Sequence, residues 1–174
     1  KTNEWPSLAS LGINEPIVDE RAALKFKGGE TAAWQRLHHY FYQTQALSSY
    51  KETRNGMIGA DYSSKFSAWL ALGCISPKSI YYEIKKYELE FGANESTYWL
   101  YFELLWRDYF QFVMMKYQQR LFLKNGIQSN KINDLVTNQA VVAKWINGQT
   151  GNDFVDANMI ELKQTGFMSN RGRQ

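Results

Sequence analysis

Apolar residues recur at helical intervals along most of the chain, and no run alternates polar and apolar with a period of two. The first clear stripe runs from Glu30 to Gln45. There Ala33, Leu37, Tyr40, Phe41 and Thr44 fall near one face at i, i+4, i+7 and i+8 spacing, which predicts a helix. Ser48 to Tyr62 is polar and carries Asn55-Gly56 and Gly59 as turn signals, so a loop is expected there, feeding a helix that starts near Phe66. Ser76-Pro77 is a helix start, since serine can accept a free backbone N–H and proline is preset for the first helical position; Gly92 marks the end. The longest helix opens around Asn94 to Thr97 and runs to about Tyr117, apolar nearly all round, so several neighbours are expected to bury it. Two shorter helices follow, Gln139 to Asn147 closed by Gly148 and Asp153 to Gln164 closed by Gly166. The fold class is therefore all-α, a helical bundle, with no fixed 30 to 45 residue repeat of the kind a solenoid shows.

Residues 1–27 hold two of the three prolines and no sustained period, and read as a linker. At the other end the chain stops one turn into a helix that could begin at Ser169, and a single turn is not stable alone. There is no initiating methionine either. The expectation is a piece of a longer protein, with a bundle incomplete at its C-terminus and apolar surface left exposed.

With 174 residues and 44% hydrophobic content the chain can bury a core and is not a disordered tail. No stretch approaches the roughly 20 apolar residues of a membrane span, so no membrane partner is expected. One cysteine, Cys74, and two histidines, His38 and His39, supply neither a disulfide nor a zinc site, and no metal is expected. A formal charge of +3 permits nucleic-acid binding without demanding it. The aromatic content of 16% is the unusual figure: it can fill a bulky helical core, or it can face a cofactor or a stacked base.

Three clusters could carry chemistry. Ser63, Ser64 and Ser67 converge just ahead of the apolar run Ala68 to Gly73, where free N–H groups at a helix start suit a phosphate; the plainer alternative is an ordinary cap with spare serines. Glu103, Trp106 and Arg107 share a face of the long helix, and a carboxylate and guanidinium among apolar neighbours need either each other or a polar ligand. Asn170, Arg171, Arg173 and Gln174 follow a helix break and suit phosphate-backbone contact or a solvated tail, with Arg54 a further exposed cation.

These strings together resemble the flavin-binding domain of the photolyase and cryptochrome family. The run Gly28 to Leu37 resembles the helix that opens that domain, and Tyr62 to Pro77 contains its Thr/Ser-Ser-x-x-Ser flavin-phosphate motif as Ser63 to Ser67. Glu103 to Asp108, Thr150-Gly151 to Asp156-Ala157, and Thr165 to Gln174 follow in family order. The likeness covers residues 28–174, a partial flavin-binding domain. Tyr50 to Arg54, Asp61 to Ser67 and Ser169 to Gln174 are most similar to the cryptochrome DASH subfamily. The string departs from the family at Ala68, Ile160 and Asn152 to Phe154, positions that bear on helix starts rather than on chemistry.

What the resemblance implies is FAD held within the bundle, its diphosphate near Ser63, Ser64, Lys65, Phe66 and Ser67 with Tyr50 close by. Arg107 and Arg173 would lie beside the flavin ring, where fixed cations favour a reduced, anionic form. Glu103, Trp106 and Asn170 would act on a flipped pyrimidine dimer, with Gln174 lining the same cavity and Trp106 stacking on the base. Arg54 and Arg171 would contact the DNA backbone. The implied activity of the whole protein is light-driven electron transfer from reduced FAD to a cyclobutane pyrimidine dimer, in damaged or single-stranded DNA. A folate-type antenna would sit on a preceding α/β domain joined by residues 1–27. Blue-light signalling without repair is the alternative within the family. A flavin-free helical module that binds nucleic acid or serves as a scaffold is the alternative outside it.

Overall fold

The apolar stripe opening at Ala33 forms α1, Glu30–His38, and it continues through a wider five-residue turn, His39–Gln43. A computed structural model describes residues 6–15, 17–128 and 137–174; residues 1–5 and Pro16, part of the segment read as a linker, lie outside the described residues. Ala33, Leu37, Tyr40 and Phe41 are fully buried, as their spacing predicts, but Thr44 is exposed. The reason is the wide turn: Thr44 N–H reaches back five residues to His39 O at 2.9 Å, so the helix unwinds and the stripe loses register.

The segment expected to be a loop also holds structure. A short turn, Ala46–Ser49, leads into α2, Tyr50–Thr53. No periodicity announces α2, because its support is tertiary: the Lys51 backbone N–H donates to Ser96 Oγ at 3.0 Å, and Ser96 Oγ donates to Glu52 at 2.9 Å. After a loop comes α3, Ser67–Ala71, only five residues long.

The two longest helices begin where their local signals say. In α4, Pro77–Phe91, Ser76 Oγ accepts from Ser79 N–H at 2.9 Å and Pro77 sits in the first turn. In α5, Glu95–Tyr117, Asn94 and Thr97 form a reciprocal capping box, and Thr97 Oγ1 donates to Glu88 at 2.7 Å, tying the end of α4 to the start of α5. α5 is not buried along its length as expected. Ser96, Thr97, Leu100 and Leu104 are buried, while Leu105, Trp106, Tyr109, Phe110, Phe112 and Met115 are exposed, so the described neighbours cover only its first half.

Two shorter helices, α6 at Gln139–Ile146 and α7 at Asp153–Thr165, start on the side chains of Asn138 and Asn152. The departure at Asn152 thus leaves a sound helix start: its Oδ1 accepts from Phe154 and Val155 N–H. Gly166 closes α7 with φ 71°. The last turn, α8 at Asn170–Arg173, holds because it is packed: Ser169 is fully buried and caps Gly172, which lies so near Asn158 of α7 that an added Cβ would stand 2.0 Å from Oδ1.

An aromatic core joins α1 through α5. Phe41 packs against Phe66 and Tyr87 with centroids 6.2 and 6.0 Å apart, and Tyr40 meets Phe66 edge-on. Rings therefore do fill the core, which accounts for part of the aromatic content. The end of the segment read as a linker is stitched to this body, since Trp69 Nε1 donates to Lys27 O at 2.8 Å and Phe26 packs on Trp69 and Phe167. Among the described residues no helix is long and apolar enough to cross a membrane, and no group of three side chains could hold a metal. Asn94→Ala removes half the capping box and is expected to cost about 1 kcal/mol, read as a lower denaturant midpoint with an unchanged slope.

Candidate functional site

The site is built by one buried guanidinium. Arg36, on the otherwise apolar face of α1, is 5% exposed and reaches into the Ala60 to Ser64 loop. Its Nε donates to Ser64 O at 3.0 Å, Nη1 to Asp61 Oδ1 at 2.7 Å, and Nη2 to Ala60 O and Ser63 O at 2.9 and 3.0 Å. His39 adds a contact to Asp61 at 3.2 Å. Burial alone would raise the Asp61 carboxyl, but hydrogen bonds and charge from Arg36 and His39 outweigh it and hold the group below the usual carboxylate range.

So held, the loop walls a cavity of two adjoining compartments. One, of about 230 Å³, is lined by Tyr50, Arg54, Tyr62, Ser63, Ser64, Lys65, Phe66, Ser67, Glu103, Phe167, Asn170 and Arg173. The other, of about 380 Å³ and more apolar, shares Tyr50, Ser64, Phe66, Ser67 and Glu103 and adds Leu70, Ala71, Leu100, Leu104 and Arg107. All eight residues expected to bind a cofactor fall on these walls, as do Glu103, Asn170 and Arg54. Trp106, Arg171 and Gln174 do not: they are exposed outside both compartments.

The electrostatics differ from the sequence argument in one respect. α3 is a short helix with no side-chain cap, and Ser67 is exposed, so a helix dipole contributes little. Side-chain cations carry the positive field instead. Lys65 is 6% exposed, holds φ 56° in the left-handed region, and places Nζ 3.3 Å from the Tyr62 ring centre and 4.8 Å from that of Phe167. Among the described residues its ammonium has no hydrogen-bond partner, and neither do the buried Arg54 Nε and Tyr62 Oη on the same wall. Burial first, then the charge of Arg36, pushes Lys65 down to about 8, with Glu161 and Asp61 acting in the opposite sense. Tyr50 is pushed up by burial and then by the Glu103 carboxylate, so it stays a neutral phenol.

Glu103 and Arg107 do not pair with each other. Glu103 forms an ion pair with Arg54 and accepts from Trp99 Nε1, while Arg107 reaches Asp108 and the Leu70 carbonyl. Arg173 donates through Nε and Nη2 to Met168 O. Sequence reasoning missed Arg36, Tyr62, Trp99 and Phe167. The signal for Arg36 was there: an arginine beside Leu37 on a stripe that must be buried needs a polar partner elsewhere in the chain.

The FAD binding domain of DNA photolyase matches residues 99–174. The chain is 59% identical over 169 residues to cryptochrome DASH of Danio rerio, covering 97% of this chain and 32% of that protein. Against cryptochrome DASH of Gloeobacter violaceus it is 56% identical over 171 residues, covering 98% of this chain and 34% of the relative. The crystal structure of a Synechocystis sp. cryptochrome superposes with a TM-score of 0.89 at 53% identity, over 97% of this chain and 34% of that one. The chain thus spans about a third of the length of the relatives it matches.

Arg36→Ala leaves three loop carbonyls without their donor and Asp61 with His39 alone, at an expected cost of about 3 kcal/mol and with faster amide exchange across residues 60–64. Because the fold depresses Asp61, its contribution is complete above the pKa of an unfolded aspartate, about 3.9, and is lost as pH falls through the lower folded value. Acid denaturation of Asp61→Asn should therefore begin from a lower stability but depend less steeply on pH.

Proposed function

The chain belongs to the cryptochrome DASH family and corresponds to part of its FAD-binding photolyase domain, and on that basis we propose that the cavity behind the serine loop holds FAD. What supports this reading is the set of three buried donors that have no partner among the described residues, Lys65 Nζ, Arg54 Nε and Tyr62 Oη, on one wall beside Arg173. A buried donor left unsatisfied costs about 1 to 3 kcal/mol, and an unpaired ammonium more. A diphosphate offers only acceptors and negative charge, and satisfies all three. The hydroxyls of Ser63, Ser64 and Ser67 line the same wall and add neutral donors. The second compartment, apolar but for the Arg107 guanidinium and the groups it shares, suits a flat ring that takes negative charge on reduction.

FAD bound in this cavity would supply the light-driven electron transfer chemistry for splitting a pyrimidine dimer. The residues of this chain bind, orient and exclude water. Leu70, Leu100 and Leu104 keep the ring compartment dry, and Lys65, Arg54 and Arg173 hold the anionic end. Glu103 presents an acceptor between the two compartments, with Asn170 on the same side as the cations. DNA is too large to enter either compartment, so its contacts belong on the rim. Trp106, 44% exposed, offers a ring for a base to stack on, and the exposed Arg171 and Gln174 suit the backbone. The reading for the whole protein is light-driven repair of pyrimidine dimers in single-stranded DNA.

The test is to purify the protein, record flavin absorbance, and follow loss of dimers from a single-stranded oligonucleotide under blue light. A colourless protein that binds no added FAD would end the proposal. Lys65→Met should weaken FAD binding about tenfold or more, and Ser64→Ala with Ser67→Ala should weaken it as well. Trp106→Ala should retain the flavin and lose affinity for dimer-containing DNA. Lys65 loses its proton near pH 8 in the free protein, so FAD affinity of the wild type should fall as pH rises past that value, and the fall should vanish in Lys65→Met.

A further inference from the structure

A buried lysine is almost always paired, and Lys65 hydrogen-bonds to no acceptor among the described residues. Asp61 is taken by Arg36 and His39, and Glu161 of α7 acts on the ammonium through space. What lies against Nζ instead is a pair of rings, Tyr62 with its centre at 3.3 Å and Phe167 at 4.8 Å. They come from different parts of the fold. Tyr62 belongs to the loop that Arg36 anchors, whereas Phe167 follows Gly166 at the end of α7 and donates its N–H to Thr165 Oγ1 at 3.2 Å. Phe26 packs on Phe167 with centroids 6.1 Å apart and on Trp69 at 5.2 Å, so the Phe167 ring is itself held. Lys65 reaches these rings from a left-handed backbone, φ 56°, a conformation that a lysine keeps only where its surroundings impose it.

A carboxylate would hold the ammonium by taking its N–H donors and cancelling its charge. A ring face attracts the cation through its quadrupole and does neither. We infer that Tyr62 and Phe167 are positioning residues, an aromatic cradle that keeps the Lys65 ammonium in place, charged and with its donors open to a diphosphate. Because the two rings sit on separate segments, the anionic end of the cavity is complete only when the serine loop and the segment after α7 are both docked. The inference rests on the flavin reading in one respect, that the anion awaited is the diphosphate of FAD. Around the ammonium, burial and the Arg36 charge oppose protonation while Glu161 and Asp61 favour it, and Arg54 and Arg173 line the same compartment. Leucine in place of Phe167 keeps the apolar burial and removes the quadrupole, so the ammonium gives up its proton at a lower pH.

The experiment compares wild type with Phe167→Leu, with Phe167→Tyr, which restores a ring, and with Lys65→Met alone and combined with Phe167→Leu. In protein freed of flavin, the Lys65 amine is titrated by competitive labelling with acetic anhydride and read by peptide mass spectrometry. The wild-type midpoint is expected near pH 8, that of Phe167→Leu about half a unit lower, and that of Phe167→Tyr as in wild type. Tyr62→Leu should lower the midpoint as well, so the result does not hang on one variant folding. FAD and riboflavin, which lacks phosphate, are then titrated at pH 7. Phe167→Leu should bind FAD about threefold more weakly and riboflavin as wild type does, and added to Lys65→Met it should cost FAD nothing further. A labelling midpoint that is unchanged or higher in Phe167→Leu and Tyr62→Leu overturns the inference and leaves the flavin reading standing. A further loss of FAD in the double variant does the same, since Phe167 then acts without Lys65. Midpoints as expected with no binding of FAD overturn the flavin reading and, with it, the diphosphate as the anion awaited.

Discussion

The arrangement of the site depends on the Arg36 guanidinium. A buried arginine is expensive to desolvate unless its donors are used, and here Nε, Nη1 and Nη2 spend theirs on Ala60, Asp61, Ser63 and Ser64. That requirement ties a glycine-bearing, irregular loop to the buried face of α1. The loop then has one position, and Ser63, Ser64, Lys65 and Phe66 are carried with it onto the cavity wall. Lysine in place of Arg36 could not make the same set of contacts, because a single ammonium cannot span four acceptors at fixed angles.

A second constraint comes from the start of α5. Its capping box, the Thr97 to Glu88 bond and the Ser96 link to α2 fix the first turn, and Leu100, Glu103, Leu104 and Arg107 then follow at helical spacing along the cavity. α5 thus works as a ruler: its caps set the register and its side chains sample apolar wall, acceptor and cation in turn. The same helix turns Trp106, Tyr109 and Phe110 outward, where they pack edge-on or stacked against one another.

Elements with local causes were legible in the sequence. Ser76-Pro77, Asn94 with Thr97, and Gly166 mark helix ends through bonds made within a few residues, and the structure has them where the signals lie. Elements with distant causes were not. α2 exists because Ser96, forty-five residues away, accepts the Lys51 N–H in its first turn, and Thr44 leaves the core because a wide turn shifts the register. The walls of the candidate site were largely legible, since the serine motif, Tyr50, Glu103, Arg107 and Arg173 all line the cavity. The source of its positive field was not, because a helix start was visible in the string whereas the burial of Lys65 and the orphaned Arg54 Nε are properties of the packed molecule.

If the loop anchored by Arg36 is the wall against which FAD sits, the amides of that loop must respond to the cofactor. Exchange is followed for residues 60–67 and for α6 as a distant reference, before and after addition of FAD. Slower exchange at Ser63 to Ser67 on binding, with no change in α6, is the expected result. Flavin bound at full occupancy with those loop amides exchanging as before would contradict it.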